Sequence, residues 1–203
     1  MKTYPSIIRT VSHPPNLKLY TFDKLDGSNL RFECSKKAGW YKFGTRNRLF
    51  DKTDDIFGPA TPLFKDTLAD ELEKILIKSR WKSAVIFCEF YGESSFAGKH
   101  NLNELKKLTV IDVAPYKKGI LPPKQFIDLF GEYGPKYFGI INWGKEFITE
   151  VWNNKIEGMT FEGVVGKTEK KRKLLMYKAK TQQWIDKVRA LYSANEATKL
   201  IES

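Results

Sequence analysis

The stretch MTFEGVVGKTEKKRKLLMYKAK, residues 159–180, reads as two strands, 159–167 and 174–180, joined by the basic turn TEKKRK at 168–173. Short apolar runs bounded by glycine and charge clusters mark a hairpin, with the charged turn at its tip. Glu162 stands at the head of the first apolar run, and Lys178 and Lys180 close the second. A charge inside or beside an apolar strand is costly unless it has a partner. Two residues apart on a strand, the lysines share a face, which fits a common partner and equally fits the wet face of an edge strand.

The same pattern extends outward. Runs at 18–22, 29–34 and 39–45, rich in Leu, Tyr, Phe and Trp, are broken by DGS and KKAG and predict an opening meander. AVIFCEFYG (84–92) and LTVIDVAPY (108–116) are apolar enough to be buried strands. Leu63, Leu68, Leu72, Ile75 and Leu76 recur at helical spacing and predict an amphipathic helix over Pro62–Arg80. Shorter helices suit 123–132 and 145–154, and a helix from Gln182 to about Tyr192, followed by a second helical turn, closes the chain. Without repeats or a low-complexity linker, the expectation is one α+β domain over residues 1–203, antiparallel sheets flanked by helices.

With 203 residues, 41% of them apolar and 14% aromatic, the chain can bury a substantial core, which excludes disordered and fibrous classes. Its 35 basic and 24 acidic residues leave a charge of +11, favouring polyanionic partners. Cys34 and Cys88, both in strand-like runs, predict buried free thiols in a reducing compartment. No run approaches the roughly 20 apolar residues of a membrane span, and the N-terminus lacks a signal-peptide core. A soluble cytoplasmic protein is expected.

Four segments place charge against apolar strand: KLDGSN (24–29), FCEFYGE (87–93), FEGVVGK (161–167) and MYKAK (176–180). Singly, each has an ordinary explanation, such as a hairpin glycine at 27 or a solvent-facing lysine. Their order and type together carry more. The chain resembles the covalent nucleotidyltransferase superfamily of DNA ligases, RNA ligases and mRNA capping enzymes. That family is marked by KxDG, an arginine, a glutamate in a buried strand, EG(V/I)V and a closing KxK. Here the matches are Lys24, Asp26 and Gly27, then Arg46, Glu89, Glu162 and Gly163, and Lys178 and Lys180. With Asn29 five places after the lysine, and EFYGESSFAG following, the pattern is most similar to the RNA ligase 2 group common in phages.

The resemblance implies that Lys24 attacks ATP and carries AMP as a lysyl adduct, with Asp26, Gly27, Asn29, Arg46, Glu89, Glu162, Lys178 and Lys180 around the nucleotide. Arg48 rivals Arg46 for phosphate contact. Lys178 and Lys180 would hold the α-phosphate and lower the pKa of Lys24. Glu162, with Glu89, would hold Mg2+ or Mn2+. AMP would pass to an RNA 5′-phosphate, and a 3′-hydroxyl, on free ends or across a nicked duplex, would displace it. RNA repair is the implied setting, with the KTEKKRK turn (167–173) as material for the acceptor surface. Two departures stand out. LTVIDVAP offers Leu108, Thr109 and Ile111 but no ring to stack on adenine, and no OB-fold or other accessory domain is expected, so a dimer or protein partner would supply it. A DNA ligase, a capping-type guanylyltransferase and a non-catalytic nucleic-acid binding module are the alternatives.

Overall fold

The computed structural model describes residues 3–10, 13–92 and 104–202. The segment 93–98, which completes EFYGESSFAG, lies outside them. Two five-stranded sheets build the protein. The first contains β1 (Ile8–Arg9), β2 (Lys18–Lys24), β8 (Tyr137–Asn142), β9 (Gly163–Lys170) and β10 (Lys173–Lys180), in the order β1-β10-β9-β2-β8. The second contains β3 (Ser28–Ser35), β4 (Gly39–Thr45), β5 (Leu49–Phe50), β6 (Ser83–Tyr91) and β7 (Lys107–Pro115), in the order β5-β4-β3-β6-β7. Among the described residues only β1 runs parallel to its neighbour; the other pairings are antiparallel. The expected α+β architecture is therefore present.

Strand alternation divides each sheet between two environments. On β6, Ile86, Cys88 and Phe90 enter the main core with Leu30, Phe32, Phe64 and Phe126, leaving Phe87 and Glu89 on the opposite face. On the first sheet, Leu19, Val164 and Ala179 pack with Trp143, Phe147 and Val151 under α4 (Lys145–Trp152). Their alternates Val165, Lys167, Lys178 and Lys180 face the other way. A smaller apolar cluster of Tyr4, Phe87, Ala114 and Met176 joins the two sheets.

The helix expected over Pro62–Arg80 is not continuous. It comprises α1 (Ala60–Phe64), a π-helical turn at Lys65–Ala69 and α2 (Asp70–Lys78). Within the wide turn the Thr67 hydroxyl donates to Leu63 O, 2.6 Å away, competing with the backbone ladder. α3 (Pro123–Phe130) and α5 (Gln182–Leu191) match their expected spans, and the anticipated last turn is a nine-residue helix, α6 (Ala194–Glu202). β1, β5 and β8 had no clear periodic signal, two of them being only two residues long. Cys34 and Cys88 are free and buried, and burial pushes the Cys34 thiol to about 11. Among the described residues, no helix is long and apolar enough to cross a membrane.

Candidate active site

Lys24 ends β2, where a short turn passes the chain to β3 in the other sheet. Gly27 lies in that turn without a left-handed conformation. It is required because a Cβ there would stand 2.4 Å from Phe90 O and 2.8 Å from Tyr91 Cβ. Close approach to β6, rather than an unusual φ, explains this glycine. The strand expected over 159–167 begins only at Gly163, whose φ is +140° and whose Cβ would meet Ala179 O at 2.1 Å. Glu162 thus sits at the lip of the sheet, its carbonyl accepting from Thr181 N at 3.0 Å. Gly163→Ala should lower stability by about 1–3 kcal/mol through this strain and clash, read from the urea midpoint; an unchanged midpoint would show that the lip relaxes freely.

At this lip the charges converge. Lys24 Nζ lies 2.7 Å from Glu162 Oε1, and Lys180 Nζ lies 3.1 Å from the same oxygen. The surrounding cleft lies between the sheets and includes Asp26, Gly27, Asn29, Arg46 and Glu89 in its lining. Arg48 is not among its lining residues; it pairs with Asp54 and lies over the Phe57 ring. Eight of the nine residues singled out from sequence therefore line one cleft. The exception is Lys178, on the same strand face as Lys180 but directed to Glu202 O at 2.7 Å.

The electrostatics follow from one carboxylate held between cations. Burial works against the Glu162 charge, but Lys24 and Lys180 outweigh it and hold its pKa below the ordinary carboxylate range. Burial likewise opposes the charge of Lys24, and Glu162 and Glu89 outweigh it, so the Lys24 pKa is raised. In the free protein this reverses the lowered pKa expected from its lysine neighbours. The lowered groups are those neighbours: burial, with repulsion from nearby lysines, takes Lys178 to about 7 and Lys180 to about 8. Burial, with the Glu162 and Asp26 carboxylates, pushes Glu89 up to about 8. Between pH 4.5 and 8 the folded state thus holds a proton on Glu89 that the unfolded chain releases, so this group's contribution to stability falls as pH rises. Glu89→Gln should accordingly gain on the wild type between pH 5 and pH 8 in urea midpoint; parallel profiles would remove Glu89 as the titrating group.

A second charged group, at the opposite end of the cleft, was hidden within the FEGVVGK motif. Lys167 Nζ contacts Asp112 Oδ2 and Ile111 O, each at 2.8 Å, and lies over the rings of Phe22 (5.2 Å) and Phe126 (5.4 Å). Tyr4 Oη donates to the same Asp112 oxygen at 2.5 Å. A β-bulge directs this arrangement: Phe87 pairs with Asp112 and Cys88 with Val110, leaving Ile111 as the extra residue. Val110 and Val113 can then both enter the main core while Ile111 lines the cleft and Asp112 meets Lys167 and Tyr4 of its wall. Sequence offered one signal for Lys167 and Asp112, a charge within an apolar strand. Rings in the lining come from Tyr4, Phe22 and Trp184, not from β7. The basic hairpin tip, with Lys171 and Arg172 at positive φ, lies at the far end of β10, Arg172 eight residues before Lys180 and about 26 Å away at 3.3 Å per residue.

No protein-family model and no curated protein matches the chain. Solved structures do. An archaeal ATP-dependent RNA ligase superposes with a TM-score of 0.65 at 18% identity, over 91% of this chain and 50% of that one. A Naegleria gruberi RNA ligase with pyrophosphate gives 0.68 at 13% identity, over 94% and 58%, and a variant of it with ATP and Mn gives 0.63 at 16%, over 92% and 58%. The chain shares the fold of these RNA ligases over that span. The chain spans half to three fifths of the length of these RNA ligases. Within this fold, the paired sheets form the walls of the cleft.

Proposed function

We propose that the protein is an ATP-dependent RNA ligase that works through a lysyl-AMP intermediate. The observation that carries the reading is the convergence of Lys24 and Lys180 on one Glu162 oxygen, inside a cleft that also contains Asp26, Gly27, Asn29, Arg46 and Glu89. The similarity to RNA ligases, including one with ATP and Mn, supports it. A nucleotide would lie along β9, its phosphates at the Lys24 end and its base toward Tyr4, Phe22 and Lys167.

Lys24 must first lose the proton that Glu162 helps it keep. Its nitrogen then attacks the α-phosphorus, forming a P–N bond as the P–O bond to pyrophosphate breaks. Lys180, with Lys178 when it is free to turn inward, would stabilise the charge building on the α-phosphoryl oxygens. Arg46, exposed at the cleft wall, can present a planar guanidinium to a phosphate of donor or acceptor. In the second step an RNA 5′-phosphate oxygen replaces Lys24 on phosphorus, and in the third a 3′-hydroxyl displaces AMP.

Among the described residues no group of three or more His, Cys, Asp or Glu could cage a metal ion. Glu162 and Glu89 suit a hard cation held in the manner of Mg2+ or Mn2+, by one or two carboxylates with water and substrate oxygens completing the shell. Such an ion would offset phosphate charge and weaken the grip of Glu162 on the Lys24 proton.

Incubation with α-labelled ATP, α-labelled GTP and adenylate-labelled NAD side by side, with Mg2+ or Mn2+, tests the reading. Acid-labile, alkali-stable label from ATP alone is expected. Label from GTP would make the protein a guanylyltransferase, and sealing confined to nicked DNA would make it a DNA ligase. Salt-sensitive RNA binding without any label would leave a binding module.

A further inference from the structure

Lys178 and Lys180 are buried, yet each ammonium group meets a backbone carbonyl of the same helix end. Lys178 Nζ donates to Glu202 O at 2.7 Å, and Lys180 Nζ donates to Leu200 O at 3.0 Å. A backbone carbonyl oxygen is the negative end of its peptide dipole. The final turn of α6 therefore stands where an anion would. Arg9, paired in register with Lys178 across β1 and β10, reaches the side chain of the same Glu202, Nη1 to Oε1 at 2.5 Å. Leu200 is also part of the cleft wall.

We infer that Arg9, Lys178 and Lys180 form one anion site for a phosphate chain, that the last turn of α6 covers it in the free protein, and that phosphate and α6 compete for it. The inference rests on reading the cleft as a nucleotide site and adds to it a third cation and a displaceable cover. Three basic groups here face two carbonyl dipoles, the exposed Glu202 carboxylate and Glu162, which Lys180 shares with Lys24. A diphosphate brings more negative charge in a more compact form and can accept from all three donors.

The helix packs on α5, outside the main cores of the two sheets. Ala197 and Ile201 pack with Trp184, Ile185 and Val188 of α5 in a cluster separate from the cores of both sheets. Swinging α6 away disturbs this cluster and the lysine contacts while leaving the strand pairings intact. A covered site binds its ligand more weakly by the fraction of molecules that are open.

Inorganic pyrophosphate is the probe, used on the full chain with calorimetry for affinity and amide hydrogen exchange for α6. Pyrophosphate should speed exchange over residues 197–202 and leave the β9 and β10 amides protected. Glu202→Gln, which loosens the cover without removing a cation, should tighten pyrophosphate about two- to fivefold. Ile201→Ala, which loosens α6 from α5, should tighten it by about tenfold. Arg9→Gln should weaken it, because a phosphate ligand is lost along with the clamp. If Arg9 only fastens the helix, Arg9→Gln will tighten binding as Glu202→Gln does, and the three-cation site is wrong. If pyrophosphate binds while α6 exchange stays unchanged, competition is wrong. If pyrophosphate binds neither the wild type nor Ile201→Ala, there is no such site. Labelling from ATP scores the nucleotide reading separately: label with unresponsive α6 rejects the cover alone, and responsive α6 without label rejects the ligase reading alone.

Discussion

Lys24→Ala is expected to reduce covalent label from ATP to background while leaving the protein folded. The loss is complete because the other lysines lining the cleft have fixed partners, Lys180 on Glu162 and Lys167 on Asp112 and Ile111 O, and neither ends β2. Retention of the fold follows from the charge balance. Glu162 loses one cation but keeps Lys180 at 3.1 Å, and Lys24 is itself partly exposed. Removing one partner of a buried pair is severe when it strands a charge, and here it does not. Label measured with Mg2+ and Mn2+, beside a circular dichroism melt, checks both halves. Persistent label on a folded variant would take Lys24 out of the mechanism.

Asp112→Ala should have the largest effect on stability, about 3–5 kcal/mol by urea denaturation. Asp112 and Lys167 form an ion pair with side-chain exposures of 1% and 4%, and the substitution leaves an ammonium group among Phe22 and Phe126 with only Ile111 O for a direct partner. Tyr4 loses its acceptor at the same time. Pairing Asp112→Leu with Lys167→Met should recover much of the loss, because two apolar side chains strand no charge. A double variant no more stable than Asp112→Ala would mean that the network is held by shape and not by charge. Since Tyr4, Ile111 and Lys167 line the end of the cleft proposed to take the base, ATP labelling by the double variant should remain impaired even where stability returns.

Local rules were enough to find the strands around the site. Apolar runs bounded by turn residues and charge marked 18–22, 84–92 and 108–116, and each was found within a residue or two. A charge in an apolar run marked Glu89, Glu162, Lys178 and Lys180, since such residues persist only where a partner answers them. Less could be read where the answer depended on a distant segment. Nothing near Tyr4 in sequence indicates that it reaches Asp112, 108 residues away. The Ile111 bulge is invisible to alternation because it breaks alternation. The helix over 60–78 changes its winding at Lys65–Ala69 without interrupting its apolar spacing.

The sequence by itself determined the α+β class, a hairpin within 159–180 and several of the charged residues that line the cleft, because pleat and side-chain chemistry are local properties. Tertiary structure decided which charges meet. It set Lys24 and Lys180 on one oxygen of Glu162 and thereby raised the Lys24 pKa where neighbouring lysines alone would have lowered it. It also turned the end of α6 onto Lys178 and Lys180. Coulomb interactions act across space regardless of separation along the chain, so the state of a charged site depends on pairings that only the packed sheets and helices create.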